Sequence, residues 1–243
     1  MGIKITFSLI IGIILLLSSC SLKDKTEETE DVVSGTKSNL PVSLNLLIEH
    51  AEYCKAIYDA GGDQRDDVAF DVKQKNGTTI IIIRGTANAS NVESDADIAL
   101  ETDIRAGILL HKGFRDASLG IMEIIDRDHT VENTVYLTGH SLGGAVAQIL
   151  GIWLHKRGYN VQVFSYGSPK ISTQSGVKPR HWRVVRKSDP VPFMPPWPYI
   201  HTGLFINSQT LDWGPDNDNG LISETDGLDH AIAKYVTTLK EQL

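Results

Sequence analysis

The stretch "TVYLTGHSLGGAVAQIL", Thr134–Leu150, decides the fold. Its first half mixes β-branched, aromatic and aliphatic residues and reads as a strand. Its second half is small and apolar at helical spacing. Between them stands Gly139-His140-Ser141-Leu142-Gly143. A chain that turns directly from a strand into a helix brings two backbones into contact, so small residues are needed on both sides of the turn. Such a turn lifts Ser141 off the end of a sheet and sets its hydroxyl at a helix N-terminus. The plainer reading is a helix-capping serine, but a cap does not require glycine at 139 and 143. Ser141 is therefore a candidate nucleophile.

The flanking sequence supplies the rest of a layered domain. "SLNLLIEHAEYCKAIYDA", from Ser43, is helical in spacing and is stopped by Gly61-Gly62. "VAFDVKQ" and "TTIIIIRG" flank Asn76-Gly77, a hairpin signal. The isoleucines Ile80 to Ile83 predict a strand buried on both faces. A helix is expected from about Lys112, and Gly158 ends the helix that follows Ser141. "VQVFSYGS", "HWRVVRKSD", "YIHTGLFIN" and "QTLDW" read as further strands, and "DHAIAKYVTTLKEQL" as a closing helix. Strands interleaved with helices define an α/β domain with a mostly parallel sheet.

Composition bounds what such a domain does. The chain has 243 residues, 41% hydrophobic and 22% charged, enough for one sizeable core. A formal net charge of -7 without any Lys/Arg cluster excludes a nucleic-acid partner. His-Glu-x-x-His and phosphate-cradling glycine loops are absent, so neither a metal nor an organic cofactor is expected. The chain is expected to act as a monomer.

The N-terminus differs from the rest. One charge, Lys4, precedes an apolar run from Ile5 to Leu17 and then Ser18-Ser19-Cys20. The run is shorter than the ~20 residues of a membrane-spanning helix. It describes an export signal, and Leu17-Ser18-Ser19-Cys20 resembles a bacterial lipobox, in which the cysteine is lipidated. Residues 1–19 are thus read as a lipoprotein signal peptide. Residues 20–38, from Cys20 onward, are read as a disordered tether, being too polar to bury a core. The domain then spans 39–243, held at the cell envelope by lipid on Cys20. Of the two cysteines only Cys54 remains, and its helical context makes it a buried apolar residue.

A serine hydroxyl needs a base to take its proton and an acid to orient that base. With the order serine, acid, histidine, the candidates among eight histidines are His155, His181, His201 and His230. His155 lies in the helix that runs away from Ser141, while His181 begins a strand and His201 precedes another strand pattern. His230 follows all the strands, after a long polar loop, where a base belongs. His140 is expected to point away into packing; His50, His111 and His129 are expected to be structural or exposed. For the acid, Asp189 follows a parallel strand and precedes a proline-rich turn, at the same rim. A turn-capping role is its alternative. Asp226 and Asp229 are rivals that more naturally cap the final helix. Oxyanion donors are expected from the Leu142 N–H and from Thr86, which follows Gly85 after an early central strand.

The ordered motifs resemble the lipase class 3 family, the fungal-type triacylglycerol lipases and their relatives. They are Arg84-Gly85-Thr86, His111-Lys112-Gly113-Phe114, Gly139 to Gly144, Tyr166 to Lys170, Asp189 to Pro192, Pro195-Pro196, Tyr199 to Gly203 and Asp229-His230. The resemblance implies an α/β-hydrolase fold. It further implies Ser141 as nucleophile, Asp189 as acid, His230 as base and Thr86 with Leu142 as oxyanion donors, and it leaves His201 structural. One segment departs from the family. The lid usually carries a tryptophan, whereas here Val92 stands among Glu93, Asp95, Asp97, Glu101 and Asp103. A polar lid over Asn88 to Asp103 is expected to give weak interfacial activation. Phospholipase A-type or short-chain esterase activity is then as open as triglyceride hydrolysis. A catalytically inactive surface-binding protein on the same scaffold, and an acyltransferase or thioesterase that passes the same acyl-enzyme to another acceptor, are the remaining alternatives.

Overall fold

A computed structural model describes residues 34–60, 63–65, 68–85, 99–215 and 228–243. The expected signal peptide and Cys20 lie outside the described residues, as do Thr86 and the lid residues Val92, Glu93, Asp95 and Asp97.

Eight strands form one sheet: β1 (Asp63–Arg65), β2 (Val68–Lys75), β3 (Thr78–Ile83), β6 (Thr134–His140), β7 (Asn160–Tyr166), β8 (Arg180–Val185), β9 (Leu204–Asn207) and β10 (Trp213–Gly214). They lie side by side in that order. The pairs from β3 through β6, β7 and β8 to β9 are parallel, and the two edges are antiparallel. Asn76 and Gly77 close the β2–β3 hairpin with φ of 51° and 73°, the left-handed pair that a two-residue turn requires.

Helices cover both faces. α2 (Lys112–Asp128) and α3 (Leu142–Lys156) pack on one, sharing a core with Ile81, Ile83, Val135 and Leu137. α1 (Leu44–Ala60) and α4 (Ile232–Lys240) pack on the other, around Phe164, Tyr166, Trp182 and Val184. The isoleucine run divides between these layers. Ile81 and Ile83 join the α2–α3 core, while Ile80 and Ile82 meet Ile57 and the tyrosines of α1. Sandwiching between helices is what made that strand apolar at every position. Cys54 is fully buried, as its helical context implied, and burial raises its thiol to about 12.

Two expectations need correction. Gly35 pairs with Trp213 through both backbone groups, and Leu40 and Val42 pack on the α1–α4 core. The folded part thus begins at or before Gly35, inside the segment read as tether; composition does not reveal a backbone pairing made with the far edge of the sheet. The second correction concerns the lid. Its described end is a strand, β4 (Leu100–Asp103), paired antiparallel with β5 (Ile108–His111). Asp103 is fully buried and accepts from the Ala106 N–H, the Trp153 indole and Arg115. Glu101 also pairs with Arg115. Asp103 therefore anchors a hairpin to α2 and α3 instead of making the lid polar, while Glu101 adds an ion pair to α2 and stays partly exposed.

Two core histidines give the fold an acid sensitivity. His50 stacks on Phe164 at 3.9 Å, and neither of its ring nitrogens has a partner among the described residues. His181 is buried between Ser165 and Thr202. Burial lowers both to about 3 from 6.5. The unfolded chain therefore binds more protons than the native one between these values, and stability falls as pH drops from about 6.5 towards 3. The urea midpoint should be level above pH 7 and decline steadily below 6.5, with a smaller decline in His50→Phe. A midpoint unchanged between pH 7 and 4 would contradict this.

Candidate active site

The turn at Ser141 is as tight as its glycines suggested. A Cβ on Gly139 would lie 2.1 Å from the Gly143 carbonyl oxygen, and one on Gly143 would lie 2.3 Å from the Ile83 carbonyl oxygen. Strand β6, helix α3 and the end of β3 thus meet backbone to backbone. Ser141 sits at φ 58°, ψ -131°, a conformation costing a non-glycine residue ~1–3 kcal/mol. Its N–H donates to the Tyr166 carbonyl, but its side chain makes no cap, which removes the plain reading of a capping serine. Ser141 Oγ is buried and has no partner among the described residues.

Asp189 and His230 come together at the rim. The acid follows β8, and His230 closes a short 3-10 turn, Leu228–His230, just before α4. His230 Nδ1 lies 2.8 Å from Asp189 Oδ2 and 3.0 Å from Oδ1. Asp189, with no exposure, also accepts from the Val191 N–H at 2.9 Å and from the Tyr235 hydroxyl at 2.5 Å. Burial, then the adjacent carboxylate, holds the Tyr235 phenol well above its ordinary range, so it stays a donor. With Nδ1 committed to the acid, His230 Nε2 is left buried and without a partner among the described residues.

The backbone after β7 links serine and pair. Tyr166 receives the Ser141 N–H, and the next residue, Gly167, has φ 56°. A Cβ there would lie 2.6 Å from Asp189 Oδ2, 2.9 Å from the Tyr235 hydroxyl and 3.2 Å from His230 Cε1. Gly167 is therefore required both by its φ and by the space the acid–histidine pair fills. Gly85 plays a similar part on the other side, where a Cβ would lie 3.0 Å from Ser141 Cβ.

The other expected residues separate as follows. Leu142 is the first residue of α3, where N–H groups lack intrahelical acceptors. His201 Nε2 donates to the Pro192 carbonyl, away from Asp189. Asp229 pairs with Lys234 and Ser188 and is not the acid facing His230; Asp226 lies outside the described residues. His111 is the N-cap of α2 and stacks on Phe114. His140 departs from expectation. It does turn from Ser141, but its Nε2 reaches the His230 carbonyl at 2.6 Å. Sequence reasoning missed this contact, and it missed Tyr235 and Gly167. The Tyr166-Gly167-Ser168-Pro169 motif was visible, but its link to the acid needed the register of β7 beside β8.

Comparison with known proteins places this architecture. Residues 80–199 match the family model Lipase (class 3). Solved structures share the fold: a lipase from Rhizopus microsporus var. chinensis superposes with a TM-score of 0.59 at 19% identity, over 82% of this chain and 88% of that one. Rhizomucor miehei triacylglyceride lipase also gives 0.59, at 20% identity over 82% and 95%. The chain has an α/β-hydrolase fold, and the stretch of it that carries Ser141 and Asp189 is similar to the lipase (class 3) family. Among curated relatives, it is similar to secreted mono- and diacylglycerol lipase 1 of Fusarium solani, 31% identical over 163 residues, 60% of this chain. It spans only 47% of that relative's length. It is 25% identical to secreted mono- and diacylglycerol lipase A of Penicillium cyclopium, over 84% of this chain and 68% of the relative.

The contacts at Asp189 predict two stability effects. Tyr235→Phe removes one donor from a buried carboxylate and should cost about 1.5–3 kcal/mol in urea unfolding. Gly167→Ala should cost more, because it adds strain at positive φ to a clash. A Tyr235→Phe midpoint equal to wild type would show that the hydroxyl contributes nothing there.

Proposed function

We propose that the protein is a serine carboxylester hydrolase that cleaves acyl esters of lipids through an acyl-enzyme on Ser141. The observation that carries this reading is a pair of buried atoms at the rim without a partner among the described residues, Ser141 Oγ and His230 Nε2, with His230 Nδ1 held by Asp189. A buried polar atom without a partner is costly, and here each is of the type the other needs. His230 Nε2 takes the hydroxyl proton as Ser141 Oγ attacks the ester carbonyl. Asp189 fixes the imidazole tautomer and stabilises the imidazolium. The Leu142 N–H and Thr86 receive the oxyanion. His230 returns the proton to the departing alcohol, and water activated by the same histidine then releases the acid. The names of the Fusarium and Penicillium relatives support acylglycerols as the substrate class.

Val92 in place of the family's lid tryptophan leaves short or singly dispersed esters as open as emulsified fat, with weak interfacial activation. In this reading the chain is exported and held at the cell envelope by lipid on Cys20, as a monomer.

Three measurements check these points. Ser141→Ala should lower hydrolysis of p-nitrophenyl butyrate by about 10⁴-fold or more; unchanged hydrolysis would sink the mechanism. On a chain-length series, the wild-type rate should rise little as substrate passes from monomer to emulsion, and a many-fold jump would overturn the lid reading. Cys20→Ala should move the protein from the membrane fraction to the soluble one, and continued retention would argue against lipidation.

A further inference from the structure

His140 occupies the centre of the glycine–serine motif, yet ester hydrolysis by Ser141, Asp189 and His230 has no use for its ring. Its two nitrogens are nevertheless both engaged. Nδ1 lies 2.9 Å from the Tyr58 hydroxyl, on α1. Nε2 lies 2.6 Å from the backbone carbonyl oxygen of His230. The His140 and His230 rings lie face to face at a tilt of 32°, centroids 4.5 Å apart.

The direction of these bonds follows from the groups themselves. A carbonyl oxygen only accepts, so His140 Nε2 carries the hydrogen. The ring is neutral, because burial first, and the nearby His230 second, lower it to about 3. Nδ1 is then an acceptor, and the Tyr58 hydroxyl donates to it. Burial likewise raises the Tyr58 phenol above its ordinary range, while the Gly85 N–H faces its oxygen. A Cβ on Gly85 would come within 2.8 Å of that oxygen. The contacts therefore run from the strand end at Gly85, through α1 and the residue before Ser141, to the loop that carries His230.

We propose that Tyr58 and His140 are positioning residues that hold the His230 backbone through these two hydrogen bonds and so aim its ring between Asp189 and Ser141. Asp189 fixes His230 at Nδ1 alone, and a ring held at one atom can still swing about that contact. A second hold on the backbone of the same residue fixes where Nε2 lies. Removing the Tyr58 hydroxyl leaves the hydrogen on His140 Nε2 but takes away the contact that fixes the other side of the ring, so the ring can swing off the His230 carbonyl. Loss of either residue therefore loosens the same hold on His230.

This inference rests on the hydrolase reading for its kinetic test, but not for its spectroscopic one. With p-nitrophenyl butyrate, Tyr58→Phe and His140→Phe should each lower kcat about tenfold, the size of one net hydrogen bond. KM should change less than about twofold, since no contact to substrate is lost. The double variant should be no slower than His140→Phe alone, and His140→Gln, whose amide can reach the same carbonyl, should recover part of the loss. Melting temperatures identify any variant that has failed to fold, and Tyr58→Phe, the mildest, then decides. An unchanged kcat in folded Tyr58→Phe, or single effects that multiply in the double variant, would overturn the proposal. Independently of activity, ¹⁵N NMR of the wild type should show His140 as the Nε2–H tautomer; the Nδ1–H form would overturn it even if Ser141→Ala abolishes hydrolysis.

Discussion

Everything at this site depends on one backbone junction, Gly139 against Gly143 and Gly143 against Ile83, too close for either glycine to carry a side chain. It lets β6 turn into α3 with no connecting loop, which leaves Ser141 no alternative to its unusual dihedral angles. The strain of ~1–3 kcal/mol is small beside what holds the turn in place. Helix α3 buries Val146, Ile149, Leu150, Ile152, Trp153 and Leu154, each contributing ~1.5–3 kcal/mol in gross burial. The conformation of one residue is thus imposed by a whole helix packed between the sheet and α2. Relaxing it would mean lifting that helix.

The acid–histidine pair obeys a different rule. A buried carboxylate is tolerable only when its lone pairs are occupied, and Asp189 collects donors from three places: the turn after β8, the loop before α4 and α4 itself. The proline-rich turn supplies one N–H and Tyr235 supplies a hydroxyl that stays protonated. Gly167 leaves the space in which these groups meet. The polar atoms around Asp189 are therefore satisfied, whereas Ser141 Oγ and His230 Nε2 have no partner among the described residues. That contrast separates the supporting part of the site from the part proposed to react.

Much of this was legible in the sequence, and the missing part has a common physical character. The strand–turn–helix at Ser141, the hairpin at Asn76-Gly77 and the doubly buried isoleucine run are local patterns, written in consecutive residues. Asp189 and His230 could be chosen because strand order limits which loops reach the rim. Tyr58, Tyr235 and the role of Gly167 could not, because each acts across elements far apart in the chain, and nothing local distinguishes them from core residues. The acids Glu101 and Asp103 were misread for the same reason. As letters they are surface charge; the burial of Asp103 and the ion pair of Glu101 with Arg115 appear only once β4 folds back on β5 beside Trp153 and Arg115. His140 was expected to point into packing, and what it faces instead is a backbone atom of a residue ninety positions later.

The row of groups from Tyr58 through His140 to the His230 carbonyl resembles a proton wire, but it has neither terminal such a wire needs. One end is a carbonyl with no proton to give, and the other is a phenol that burial keeps neutral. Charge cannot enter or leave along it during turnover. In the proposed reading it therefore works as a strut: it bears on where the His230 imidazole stands and has no part in where its proton goes.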